Sequence, residues 1–299
     1  MSAKANGLAR AHLVDGTYEL FRAYFAPRPP RFGRDGRPLS ACVGLAYSLL
    51  GLLDDANEQA THVAVAFDNP IRSFRNDLFD GYKTEAGVPD DLLGQFDEAE
   101  DVTAALGITV WSMDEFEADD ALASGAAKLR DVADQVRILT PDKDLGQCIR
   151  GERVVQIDRM RNKLIDEAAL RARRGVGPES IPDMLALTGD TADGIPGIPG
   201  FGEKTSATLL AKWITIEAIP DDPKQWGVAV RGADRLAATL ASMRTEAMLY
   251  KKLATLREDV ALFESPDELR WRGADRERWQ AWCESADMDE LRDRPKAWR

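Results

Sequence analysis

Histidine and cysteine are scarce in this chain of 299 residues, with two of the first and three of the second. Cys42, Cys148 and Cys283 stand far apart and are odd in number. Neither a disulfide framework nor a zinc cluster is expected, and a reducing cytoplasm is the natural setting. His12 and His62 fall inside apolar, strand-like stretches and read as structural, so histidine triads and two-histidine metal sites lack raw material. No apolar run reaches the length of a membrane span, and residues 1–10 lack the hydrophobic stretch of a signal peptide. The expectation is a cytosolic monomer with no membrane contact. Basic residues are also in deficit, 39 against 51 acids, for a formal charge of −12. That balance argues against a uniform basic coat for nucleic acid but leaves room for a local basic track. One candidate track is the proline-rich stretch 26–38, which carries Arg28, Arg31, Arg34 and Arg37.

What the chain does have is an ordinary globular composition, 44% hydrophobic and 30% charged, with length for a substantial core. Short apolar runs at 11–14, 63–67, 108–111, 138–140 and 154–157 read as strands. Between most of them lie helix-length stretches with apolar spacing of three and four, such as 39–53 and 118–132. Strand alternating with helix predicts an α/β fold with a mostly parallel central sheet. After about residue 166 the strand signal fades, and segments such as 235–256 and 275–291 read as amphipathic helices.

The informative pattern is what ends the strands. The first run closes with Asp15, the second with Asp68, and the fourth leads through Pro141 into Asp142 and Asp144. The third leads by a short link into Glu117-Ala118-Asp119-Asp120. In an open parallel sheet the carboxyl ends of the strands face one crevice, so four strand ends would aim acids at the same place. One such Asp is a common helix cap; seven together are hard to explain that way. Like charges about 4 Å apart cost roughly 4 kcal/mol at an effective dielectric of 20. Such a cluster must protonate some members or bind cations. An all-oxygen site selects Mg²⁺ or Mn²⁺ over Zn²⁺, and two hard ions are standard apparatus for in-line displacement at phosphorus. A capping box at Ser112-Met113-Asp114-Glu115 would start the next helix early and put Glu117 and Asp120 on one face. Asp190 and Asp193, in Thr-Gly-Asp-Thr-Ala-Asp-Gly, supply two more acids.

The stretch from Gly194 through Gly197, Gly200 and Gly202 to Lys204 and Thr205 is rich in Gly and Pro. It is not a P-loop, because Glu203 separates the last Gly from Lys204, and no strand precedes it as a dinucleotide fingerprint requires. What remains is a helix–hairpin–helix pattern whose backbone N–H groups could hold a nucleic-acid phosphate without reading sequence.

Taken in order, these pieces resemble a known family. They are Leu-Val-Asp-Gly-Thr (13–17), Phe-Arg-Ala-Tyr-Phe-Ala (21–26), Phe-Asp (67–68), Phe-Arg (74–75) and Tyr-Lys (82–83). Phe-Glu-Ala-Asp-Asp (116–120), Ile-Leu-Thr-Pro-Asp-Lys-Asp-Leu (138–145), Leu-Thr-Gly-Asp (187–190), the glycine stretch and the Lys-Lys-Leu-Ala-Thr-Leu-Arg segment (251–257) follow. They resemble the bacterial 5′ nucleases, flap endonuclease and 5′→3′ exonuclease enzymes that occur free-standing or as the N-terminal domain of DNA polymerase I. No polymerase segment follows, so a stand-alone nuclease is expected. The resemblance implies a PIN-like nuclease core over 1–175 with a helical arch near 72–106. A helical DNA-binding region over 176–299 would contain the helix–hairpin–helix near 181–213.

It also implies roles. Asp15, Asp68, Glu117, Asp119 and Asp120 would hold one metal, and Asp142, Asp144, Asp190 and Asp193 a second, with two or three Mg²⁺ or Mn²⁺ ions in all. Lys83 on the arch would neutralise the scissile phosphate, with Arg75 and Arg22 assisting. Tyr24 and Tyr82 would stack on a frayed base. Backbone amides of the hairpin would hold the duplex, with a K⁺ bound there. The expected substrate is DNA with 5′ flaps, nicks or recessed 5′ ends.

Two departures stand out. The family usually places Arg three residues after the arch Lys, where this chain has Ala86, and it usually has Ser-Asp-Asn where this chain has Ala192-Asp193-Gly194. More broadly, residues 84–127 carry twelve acids and no base. Rival readings are a haloacid-dehalogenase-type phosphatase, a non-catalytic DNA-binding protein on the same fold and a PIN-type ribonuclease. The first fails because Leu13 stands where the nucleophilic Asp would be. The second must explain retained like charge, and the third the hairpin and the length.

Overall fold

A computed structural model describes residues 8–263 and 265–299; most of the segment read for a leader, residues 1–7, lies outside the described residues. The strands are β1 (Leu8–Asp15), β2 (His62–Asp68), β3 (Thr109–Met113), β4 (Ala133–Leu139), β5 (Val154–Asp158) and β6 (Lys163–Ile165). The first helices are α1 (Gly16–Tyr24), α2 (Ser40–Asp54), α3 (Arg75–Leu78), α4 (Asp90–Leu93), α5 (Phe96–Ala105) and α6 (Ala118–Leu129). They are followed by α7 (Glu167–Arg174), α8 (Ile181–Thr188), α9 (Glu203–Trp213), α10 (Ala233–Ser242), α11 (Arg244–Ala254) and α12 (Arg276–Ser285). No described helix is long and apolar enough to cross a membrane.

All five apolar runs of the sequence are strands. β4 starts earlier than its apolar core, because Ala133 and Gln135 pair with Leu8 and Arg10 although Asp134 and Gln135 read as polar. The expected helix start at Ser112 is corrected. Ser112 lies in β3 opposite Phe67 and its hydroxyl donates to Glu100 at 2.7 Å, so strand pairing wins and α6 begins at Ala118. The amphipathic stretch 235–256 is two helices that meet at Met243.

The chain folds as two compact units that interleave along the sequence. One comprises Met1–Ser73, Glu85–Thr140 and Glu258–Arg299; the other comprises Phe74–Thr84 and Pro141–Arg257.

The first unit carries the parallel sheet, in the order β3-β2-β1-β4. β1 is buried from Ala11 to Asp15 and β2 from Val63 to Asp68, the continuous burial expected of parallel strands covered on both faces. α2 has no side-chain cap of its own. Instead Gln95, buried between α4 and α5, accepts from the N–H groups of Ala41 and Cys42 at 3.0 and 3.3 Å. That contact and the buried Leu92 and Phe96 fix the acidic stretch of the sequence in place. Trp279 and Trp282 are buried and stacked, so the tryptophans of α12 pack a core.

Glu58 clamps the loop before β2 to two strands. Its carboxylate accepts from His12 Nε2 on β1 at 2.9 Å and from Arg137 on β4 at 2.7 Å. The His12 hydrogen bond, with Arg137 assisting against burial, holds the Glu58 carboxyl down at about 2. A carboxylate depressed in the fold contributes stability that is complete above its unfolded value near 4.5 and is lost as pH falls toward 2. Glu58→Gln is expected to cost about 2 kcal/mol at pH 7, after allowance for solvent screening. Urea unfolding at pH 7 and pH 3 checks it, since the difference from wild type should shrink at the lower pH. An equal difference at both would remove the ionic account.

The second unit is mainly helical, α7 to α11 beside the antiparallel pair β5–β6. Leu185, Leu187, Leu209, Leu210, Trp226 and Leu240 are among the residues of its core. α8 and α9 flank the Gly/Pro stretch, which is entered through a turn closed by reciprocal bonds between Asp190 and Ile195, both 2.8 Å, and is tied back to α8 by the Ile198 N–H donating to Leu187 O at 2.8 Å. Gly197 has φ +74°, and a Cβ there would lie 2.5 Å from the N of Gly189, so only glycine fits the crossing of the two limbs.

Candidate metal and nucleic-acid site

In the first unit the acids at the strand ends are aimed by hydrogen bonds. Asp15 caps α1, accepting from Tyr18 N–H at 2.8 Å, while its other oxygen accepts from Thr140 Oγ1 at 2.8 Å. Asp68 accepts from Ala118 N–H at 2.7 Å, and its own N–H donates to Thr17 Oγ1. Glu117 and Asp120 form a reciprocal capping box at the head of α6, and Glu117 also accepts from Ser73 Oγ at 2.7 Å. Asp119 is half-buried on the same turn. Capping thus accounts for part of this pattern, and it holds Asp68, Glu117 and Asp120 together at one helix N-terminus, where anionic groups are favoured.

The second unit gathers Asp144, Asp190 and Asp193, each offering a carboxylate oxygen within 4.8 Å of the others. Asp144 sits at the head of a single-turn helix, Asp144–Cys148, and its N–H donates to the exposed Asp142 at 2.9 Å. Gln147 ties that turn to the end of α11, donating to Ala254 O and accepting from Leu256 N–H, both at 3.0 Å. Burial, followed by the charges of Asp142, Asp193 and Asp190, pushes the Asp144 carboxyl well above the usual range. Its Oδ1 is buried with no hydrogen-bond partner. A buried carboxylate oxygen in this state, facing two more carboxylates, fits a cation's coordination shell and otherwise carries an unrepaid desolvation cost.

Two lysines attend the triad. Lys83 Nζ lies 3.1 Å from Asp193 Oδ1. Lys143 is ion-paired with Asp190. Burial alone would lower the Lys143 ammonium, but the hydrogen bond to Asp190 and the charges of Asp144, Asp190 and Asp142 outweigh it and hold it above its ordinary value. Sequence reasoning named the acids on either side of Lys143 and passed over the lysine between them. It also missed the roles of Ser73 and Thr140, whose hydroxyls orient the Glu117 and Asp15 carboxylates from distant positions, and of Thr17, whose hydroxyl accepts from the Asp68 backbone N–H.

The expected phosphate contacts are placed unevenly. Arg75 is a correction. It is fully buried and donates to Leu253 O at 2.8 Å and Thr255 O at 3.2 Å, so its guanidinium serves the backbone of its own unit and is closed to a ligand. Tyr82 is likewise corrected, being 4% exposed within the core of the second unit, where a base cannot stack on it. Arg22, half-buried on α1, is paired with Glu19 and hydrogen-bonded to Ser48. Tyr24 is partly exposed, and its hydroxyl donates to Asp91 at 2.7 Å. Gly200, Gly202 and Lys204 are exposed at the tip of the hairpin and the start of α9, with Thr205 half-buried and Gly197 buried behind them.

The chain matches two family descriptions, "5′-3′ exonuclease, N-terminal resolvase-like domain" over residues 10–175 and "5′-3′ exonuclease, C-terminal SAM fold" over residues 176–277. It is 35% identical over 290 residues to DNA polymerase I of Mycobacterium tuberculosis strain H37Rv, covering 94% of this chain and 31% of that protein. It is 34% identical over 283 residues to the thermostable DNA polymerase I of Thermus aquaticus, covering 94% and 32%. The chain therefore spans about a third of these curated relatives. Among solved structures, bacteriophage T5 flap endonuclease in a pseudo-enzyme-product complex with DNA and metal ions shares the fold. It has a TM-score of 0.64 at 18% identity, covering 82% of this chain and 88% of that one. The catalytic core of Rad2 in complex with DNA substrate has a TM-score of 0.61 at 16% identity, covering 94% and 88%. With both domain descriptions matched end to end, the chain belongs to the 5′-3′ exonuclease family.

Proposed function

We propose that this protein is a divalent-metal-dependent, structure-specific DNA nuclease that hydrolyses phosphodiesters at 5′ flaps, nicks and recessed 5′ ends. The observation that carries the reading is the triad Asp144, Asp190 and Asp193 with its buried, unpartnered oxygen. Its donors are carboxylate oxygens alone, which suit Mg²⁺ or Mn²⁺. A bound divalent ion would supply Lewis-acid charge at the scissile phosphate. Asp142, Asp144, Asp190 and Asp193 would hold ions in the second unit, and Asp15, Asp68, Glu117, Asp119 and Asp120 would hold ions in the first. Lys83 carries an ammonium to the edge of the triad, where it can neutralise a phosphate oxygen. The hairpin from Gly194 to Thr205 offers backbone N–H groups to a duplex backbone, and the same reading places a K⁺ there.

The relatives support the chemistry. T5 5′-exonuclease has been seen with bound zinc, and T5 flap endonuclease with DNA and metal ions. The monomer in a reducing cytoplasm is kept as part of the proposal, consistent with three buried free thiols. A non-catalytic DNA-binding protein is disfavoured because binding alone gives no return for burying Asp144 among like charges.

The test incubates the full chain with 5′-labelled flap and nicked duplexes in Mg²⁺, Mn²⁺ or EDTA. Cleavage in either metal, abolished by EDTA and reduced at least about a hundredfold in Asp68→Asn, is the expected result. Wild type cutting no faster than Asp68→Asn would sink the reading.

A further inference from the structure

Every acid of the triad except Asp144 has an ammonium against it. Lys83 meets Asp193 and Lys143 meets Asp190. The two lysines are built differently. Lys83 is bound to its partner through the backbone as well. Its N–H donates to Asp193 O at 3.1 Å, and its carbonyl accepts from Asn76 Nδ2 at 2.8 Å. Lys143 has only its side chain on Asp190 among the contacts that define this pair, and it comes from a different segment, the residue before the single-turn helix. It also lines a cavity of about 330 Å³ of mixed polar and apolar character, with Arg174, Met184, Leu185 and Glu203 among its walls, so its ammonium has accessible space to move into.

We propose that Lys143 is an internal counter-ion for Asp190, neutralising it while no divalent ion is bound and yielding the carboxylate when one is. The inference rests on the reading of the triad as a cation site. Two effects of the lysine on an incoming ion have the same sign. The ion must break the ammonium–carboxylate pair, and it must then sit near a displaced positive charge. Lys143 therefore weakens metal affinity while stabilising the metal-free protein, because without it Lys83 alone would offset the repulsion among three carboxylates. Its role is positioning: it acts on the ligand Asp190 and needs no contact with substrate.

The experiment is a Mn²⁺ titration of the full chain, followed by the EPR signal of the free ion, with thermal unfolding measured in EDTA and in Mn²⁺. Binding lost in Asp144→Asn defines the triad's site. For that site Lys143→Met should bind Mn²⁺ about tenfold more tightly than wild type. It should melt at a lower temperature in EDTA and gain more from Mn²⁺ than wild type does. Lys143→Arg, which keeps the charge, should restore wild-type affinity. If Lys143→Met folds poorly, Lys143→Gln reads the same quantity, retaining a hydrogen-bond donor without the charge. Unchanged or weaker Mn²⁺ binding in a folded neutral variant overturns the counter-ion role. A wild type with no Mn²⁺ binding dependent on Asp144 fails the cation-site reading itself, and the two failures are separate.

Discussion

Asp144→Asn should lower cleavage of a 5′-labelled nicked duplex by about a thousandfold in saturating Mg²⁺, the scale seen when a charge-stabilising group is removed from a catalytic centre. The same variant should melt at a higher temperature than wild type in EDTA. These opposite signs come from one cause. Asp144 is buried, its Oδ1 has no hydrogen-bond partner, and it faces Asp142, Asp190 and Asp193. Without a cation this carboxylate is a liability, raised well above its usual range by burial and like charge. Asn keeps the shape and removes the charge. Activity should fall because a ligand is lost, and stability should rise because repulsion is relieved. Calorimetry in EDTA beside initial rates in Mg²⁺ checks both. A parallel fall in melting temperature and activity would instead assign Asp144 a packing role, and the cation reading of the triad would go with it.

Arg75→Ala should behave in the opposite manner, with a loss of about 4 kcal/mol of stability. The guanidinium is fully buried and spends two nitrogens on the carbonyls of Leu253 and Thr255, where α11 ends. Its Cζ also lies 4.7 Å from the Phe74 ring centroid. Removing it leaves two buried acceptors unmatched and a void among them. Arg75→Lys should recover little, because a single ammonium on a flexible stem cannot reproduce a planar fork aimed at two carbonyls. Urea unfolding measures the loss, and cleavage per folded molecule at low temperature separates stability from chemistry. A stable Arg75→Ala with reduced cleavage would return Arg75 to the phosphate-binding role that the sequence suggested.

Phe74-Arg75 shows where sequence reading reaches its limit. The strands were legible because each holds a short, mostly apolar run, such as Val63–Phe67 in β2, which is buried throughout. Asp15 and Asp68 were legible because each follows such a run directly, and Glu117, Asp119, Asp120, Asp142 and Asp144 because each lies a few residues beyond one. Burial of Arg75 and Tyr82 was not, since it depends on partners such as Leu253 that lie more than 160 residues away in the chain. Short polar segments failed for a related reason. Ser112 looked like a helix cap, but pairing of β3 with β2 offered its backbone more hydrogen bonds than a cap would. The acidic stretch 84–127 illustrates a third case. Its charge was plain, whereas its anchoring through Gln95 to the head of α2 could be found only in three dimensions.

The hairpin of the second unit has a thermodynamic corollary. Asp190 belongs both to the carboxylate triad and to the reciprocal pair with Ile195 that closes the turn leading into the Gly/Pro hairpin. A ligand that tightens the hairpin and an ion that draws on Asp190 therefore act on the same few backbone dihedrals. Linkage then requires reciprocity: whatever factor a duplex adds to ion affinity, the ion must add to duplex affinity. If the proposed function holds, a protein wired in this way has no single metal dissociation constant and no single DNA dissociation constant. Each is a function of the other ligand's concentration, and the four-state cycle that connects them is the quantity on which selection can act.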